Sequence, residues 1–240
     1  MQMAVGPGRE DERLVSVSTT QSETRTLVVR FDIAGDLCYL SHHETAAMFQ
    51  RALVRAGIPV VFSQGFNPHP RMSLALPRSV GVEAQDDILT VQVAAALDAD
   101  AGSLATHLAA ELPAECRVRG AELVAGRVTY HAERAEYVIC VKPAAGGGVL
   151  EERLASLQAA VAQGQRVIVR RGDGQGRAGR EKDVGPFIES VNVRGAEVVF
   201  GCRITSEGTI RVEEMLELVG LAAENLAVPV RRESVQWACD

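Results

Sequence analysis

LCYLSHHETAAMFQRALVRAGIPVVFSQGFNPHPRMSLALP, residues 37–77, sets a capped helix, a short strand and a polar loop in series. Ser41 stands where a helix N-cap belongs, and Glu44 three residues later completes a capping box. Ala46, Phe49, Leu53 and Ala56 then recur at burial spacing, while Glu44, Met48, Arg51 and Arg55 fall on another face. Gly57 suits the left-handed position after a helix, and Pro59 cannot continue one. Residues 58–62 predict a strand, edge-like at Pro59. In the loop, Pro68 and Pro70 fix φ and bias Asn67 and His69 toward extended backbone. Gly65 permits a turn that other residues resist. A stiff loop presenting Gln64, Phe66, Asn67, His69, Arg71 and Ser73 suits recognition.

Outward from this block, residues 27–33 predict a strand closed by Gly35-Asp36. Residues 72–76 and 88–94 predict paired strands, 103–112 a helix and 117–124 a closing strand. The same order then recurs. Residues 136–141, 166–171, 187–193, 197–205 and 228–236 predict strands, and 149–163 a helix. Val212, Met215, Leu216 and Val219 mark one more helix, ended by Gly220. Each half reads β-α-β-(β-hairpin)-α-β. The expected fold class is therefore α+β, with two tandem ferredoxin-like halves and the helices on one face of antiparallel sheets. Expected boundaries are a disordered arm at 1–24, an N-terminal half at 25–125, a linker at 126–135 and a C-terminal half at 136–240.

Composition narrows the function classes. Net charge is −6, so no global basic field draws the protein to nucleic acid. Local basic stretches exist nonetheless. Arg30, Arg51, Arg55, Arg71 and Arg78 outnumber Asp32, Asp36 and Glu44 between Thr26 and Val82, and Arg170, Arg171, Arg177, Arg180 and Lys182 form a second basic loop. That loop suits a phosphate backbone or a plain solvated turn, and its glycine spacing is not that of a P-loop. Five separated cysteines without a CxxC pair argue against a disulfide scaffold, a zinc ribbon or an iron–sulfur cluster. Reduced thiols, no apolar run of membrane length and no signal-peptide core lead to the expectation of a cytoplasmic protein without membrane contact.

Arg30-Phe31, Gly35-Asp36, Leu40-Ser41-His42, Arg51-Ala52-Leu53, Arg55-Ala56-Gly57 and the unbroken string from Ser63 to Pro70 resemble the bacterial radical-SAM-linked domain family of unknown function. The likeness spans about residues 25–236 and includes Lys182-Asp183-Val184, Pro186, Ile188, Gly208-Thr209 and Arg211. His43-Glu44 departs from the family's usual Leu-Asp, with Glu44 keeping the carboxylate. Members stand alone or are fused behind a cobalamin-binding-type radical SAM protein. The resemblance implies a radical SAM partner on a separate chain and supplies no activity.

Three readings of the candidate residues compete. In the first, Ser41, His42 and the helix start gather with Gln64, Phe66, Asn67, His69, Arg71 and Ser73 to bind RNA or another anion, without catalysis. Its plain alternative is a loop whose Ser63 and Asn67 bond their own backbone. In the second, His42 or His69 is a general acid–base for metal-independent RNA cleavage. In the third, the loop docks the partner protein. A metal at His42, His43, His69 and Cys38 is disfavoured, because adjacent helix residues point apart. No cofactor is expected in this chain. Phe31 and Phe62 read as core and Phe66 as the aromatic free to stack. Trp237 is expected against the second half's sheet.

Overall fold

The computed structural model describes residues 24–95, 99–145, 147–172 and 179–240. The arm expected at residues 1–24, apart from Thr24, lies outside them, as does Arg177. The fold is mixed α/β, with a mostly antiparallel sheet and four helices among the described residues. The N-terminal half runs β1 (Thr24–Ile33), α1 (His42–Arg55), β2 (Met72–Leu74), β3 (Val82–Ala94), α2 (Ala101–Ala110) and β4 (Cys116–Ala125). The C-terminal half runs β5 (Tyr130–Cys140), α3 (Gly148–Ala162), β6 (Ile168–Arg171), β7 (Arg180–Asp183), β8 (Ile188–Arg194), β9 (Glu197–Arg203), α4 (Val212–Val219) and β10 (Val230–Cys239).

The main sheet runs β4-β1-β3-β10-β5-β9-β8, with β2 on the far end of β3 and β6-β7 forming a separate hairpin. Within the halves the strand orders are β4-β1-β3-β2 and β10-β5-β9-β8. The halves share one sheet because Val230, Arg231 and Arg232 of β10 pair in parallel with Val82, Glu83 and Ala84 of β3.

Alternation decides which face is buried. Leu27, Val29, Phe31 and Ile33 of β1 and Leu89, Val91 and Val93 of β3 pack on Met48, Phe49, Ala52 and Leu53 of α1 and on Leu104 and Leu108 of α2. In the C-terminal half Tyr137, Ile139, Val198 and Phe200 meet Leu150, Leu154 and Leu157 of α3 and Met215 and Val219 of α4. A bulge keeps the two cores on one face. Asp86 takes φ 58°, so Ile33 opposes Ala84 while Phe31 opposes Asp87. Its left-handed backbone is held three ways. Asp86 N–H donates to Asp32 Oδ1 at 2.9 Å, its carboxylate accepts from Arg30 at 2.7 Å, and its carbonyl accepts from Trp237 Nε1 at 3.1 Å.

Several expectations need correction. The buried stripe of α1 is Thr45, Met48, Phe49, Ala52 and Leu53, so Met48 belongs to the core. Residues 58–62 make only single bridges, Val60 to Val93 and Phe62 to Pro70, because Pro59 lacks a donor and the chain soon turns away. The linker expected at 126–135 shortens to residues 126–129, since β5 begins at Tyr130 opposite Cys239 of β10. Trp237 bonds to β3 rather than sitting wholly on the second half's strands, because β10 lies between β3 and β5. Phe62 is 43% exposed, not core.

Candidate anion-binding cleft

Ser41 caps α1 as its sequence requires. Its hydroxyl accepts from Glu44 N–H at 3.2 Å, and the Glu44 carboxylate accepts from Ser41 N–H at 2.8 Å and from the Ser41 hydroxyl at 2.7 Å. The Ser41 hydroxyl and then the Ser41 N–H lower the Glu44 pKa below the ordinary glutamate value. A carboxylate of the chain itself therefore sits where an outside anion was expected to dock.

The loop lies elsewhere. Ser63 N–H donates to His69 O at 2.8 Å, His69 N–H donates to Ser63 Oγ at 3.0 Å, and Arg71 N–H donates to Val61 O at 2.8 Å. Residues 61–71 thus form a ribbon that carries Gln64, Gly65, Phe66, Asn67, Pro68 and His69 exposed at its tip. The ribbon is tied to β3 by Gln92, whose N–H donates to Arg71 O and whose carbonyl accepts from Val61 N–H, both at 2.8 Å.

The register of β2 separates the candidate residues. Met72 opposes Val91 and Leu74 opposes Leu89, both on the helix face, whereas Ser73 opposes Thr90 on the other. Ser73 and Arg71 therefore line a cleft on the face away from the helices. His42 lies on the helix side, lining a small cavity with Leu74, Leu76, Arg78 and Asp87. The sequence expectation of one shared pocket is not met, because the sheet intervenes. Arg71 and Ser73 go together; Ser41 and His42 stand apart from them.

The cleft has a volume of about 420 Å³. Its floor is Thr26, Thr90 and Gln92 of β1 and β3, one wall is Arg71 and Ser73, and the other is Arg127, Thr129 and Tyr130 of the connection into β5. The Thr26 hydroxyl holds that connection by donating to Gly126 O at 2.7 Å. Among the described residues the Arg71 side chain reaches only Gln92 Oε1, at 3.4 Å. Among the described residues neither Arg71 nor Arg127 pairs with a carboxylate, and the lining contains none. Tyr130 donates to Glu122 at 2.9 Å; burial first, then that bond to an anion, push its pKa up to about 12. The phenol stays protonated and serves as wall, not base. Two guanidinium groups and several hydroxyls thus line a concavity with no carboxylate in its own lining, Glu122 standing behind its Tyr130 wall.

Of the other N-terminal cations singled out in the sequence, Arg30, Arg55 and Arg78 have partners among the described residues and Arg51 has none. Arg30 pairs with Asp86, Arg55 with Glu111, and buried Arg78 donates to the carbonyls of Cys38 at 2.6 Å and Val82 at 2.7 Å. Sequence reasoning missed Arg127, which lay in the expected linker. Its only signal was its neighbourhood of hydroxyl residues. The second basic loop is also less free than expected. Arg171 binds buried Glu214 at 2.7 Å and Thr209 O at 2.7 Å, fastening β6 to α4. Arg170 approaches Glu181 at 3.9 Å, and Lys182 lies 5.2 Å from the Phe187 ring centre. Among the described residues no three His, Cys, Asp or Glu side chains cluster as a metal site. No helix of the described residues is long and apolar enough to cross a membrane.

Fold and cleft together define a mixed α/β protein whose polar cleft lies on the helix-free face of its sheet. The chain belongs to the bacterial family described as uncharacterized protein conserved in bacteria (DUF2344), whose model matches residues 26–218. None of the curated proteins matches it. Among solved structures it is similar to an unknown protein from Galdieria sulphuraria, with 14% identity over 82% of this chain and 89% of that one, at a TM-score of 0.24.

Proposed function

We propose that this protein is a non-catalytic accessory module that holds RNA or another anionic substrate in the Arg71–Arg127 cleft, for a radical SAM enzyme on a separate chain. The observation that carries the reading is the pairing of Arg71 and Arg127 across a hydroxyl-lined concavity without a carboxylate. Phosphate oxygens suit such a lining, since charge-assisted bonds to guanidinium are about twice as strong as neutral ones. The strand orders β4-β1-β3-β2 and β10-β5-β9-β8 support reading the halves as tandem ferredoxin-like units. The radical SAM partner rests on the family resemblance of the loop string.

The test is RNA binding across a salt series. We expect Arg71→Ala with Arg127→Ala to weaken binding and to flatten the logarithmic salt dependence by about 1.4, some 0.7 for each single-strand phosphate no longer neutralised. Equal binding by wild type and variant, or none by either, would reject the reading.

The fully exposed Phe66 favours a second reading, an adaptor whose loop docks the radical SAM protein. Co-purification that survives nuclease but fails for Phe66→Ala with Asn67→Ala would support it.

A further inference from the structure

We propose that the cleft takes its RNA single-stranded, with an unpaired base stacked on Phe66. This rests on the anion-binding reading of the cleft and adds the class of nucleic acid.

Phe66 is 110% exposed relative to a reference residue, and Phe62 on the same ribbon is 43% exposed. One exposed aromatic is ordinary on a protein surface. Here the ring is presented by a loop closed at its neck, Ser63 N–H to His69 O and His69 N–H to Ser63 Oγ, and stiffened by Pro68 and Pro70. Little order is left to impose when a ligand meets it. The return leg of the same ribbon enters the cleft as Arg71. An extended strand rises about 3.3 Å per residue, which puts Phe66 at most about 17 Å from Arg71 along the chain. A strand of a few nucleotides spans that reach, with phosphates at Arg71 and Arg127 and a base at Phe66. A duplex hides its base faces in the stack and has none to offer the ring.

The experiment measures anisotropy of a labelled single-stranded pyrimidine RNA, a duplex of equal length, and competition by inorganic polyphosphate. Phe66→Ala should weaken single-strand binding by about 5- to 150-fold. Phe66→Trp should retain it, and polyphosphate should compete for the cleft equally in wild type and Phe66→Ala. Phe66 buries nothing, so its replacement leaves the fold intact. Undiminished single-strand binding by Phe66→Ala, or duplex bound as tightly as single strand, overturns the inference while the anion cleft stands. A Phe66→Ala protein that loses only its radical SAM partner makes the loop a protein contact and also overturns it. Wild type that binds neither RNA nor polyphosphate removes the cleft reading, and this inference with it.

Discussion

Arg232 is the largest fully buried side chain of the described residues, and it sits where the two halves join. One of its terminal nitrogens lies 2.7 Å from each Asp87 oxygen, and the other donates to Pro77 O at 3.2 Å. Its Nε has no partner among the described residues. The pair is a junction device rather than a source of net stability, since desolvating two charges offsets much of their attraction. We expect Arg232→Ala to cost about 3–5 kcal/mol, because it strands a buried carboxylate, and Arg232→Met with Asp87→Leu to recover most of that loss. Urea denaturation of the three proteins checks this; a double variant as unstable as the single one would contradict it. Neither residue is marked in the sequence. Arg232 reads as a surface cation, and only the Asp86 bulge turns Asp87 inward.

At the level of single elements, α1 shows how far local signals reach. Its cap, its length and its stop after Arg55 follow from Ser41, Glu44, Gly57 and Pro59, because capping joins residues three apart. Ser41→Ala should cost about 1 kcal/mol in thermal or urea unfolding. The Glu44 pKa is lowered in the folded chain, so its contribution is complete above the ordinary glutamate range and is lost as pH falls through the lowered value. The difference in melting temperature between wild type and Glu44→Gln should therefore be present at neutral pH and vanish in acid. A difference that persists in acid would show that the carboxylate charge is irrelevant to the cap. The segment at 58–62 shows the opposite case. Its apolar residues read as a strand, yet Phe62 is exposed and pairs only with Pro70. Alternation alone does not say whether a partner strand continues beside it.

Across the molecule, one sheet carries both helical layers, and strand β10 closes the C-terminal half while bordering the N-terminal one. Val82 of β3 packs in the C-terminal core and Trp237 of β10 bonds to Asp86 of β3, so neither half is complete alone. Equilibrium unfolding followed by Trp237 fluorescence and by far-ultraviolet circular dichroism should therefore give coincident transitions. Two separated transitions would mean that the β3–β10 seam is weak.

Residue order settles what is local. The helix starts and stops, most of the strand–helix order (the segment at 58–62 and strand β7 apart) and the exposed polar loop depend on residues a few positions apart. Folding in three dimensions settles which cations are free and where they meet. Arg30 and Arg171 are occupied by groups dozens of positions away, Arg78 by Cys38 as well as by nearby Val82, and Arg127 joins Arg71 because the connection into β5 folds over the sheet face opposite the helices. Charge pairing acts through space and a sheet has two sides, so neither fact is written in the order of the chain.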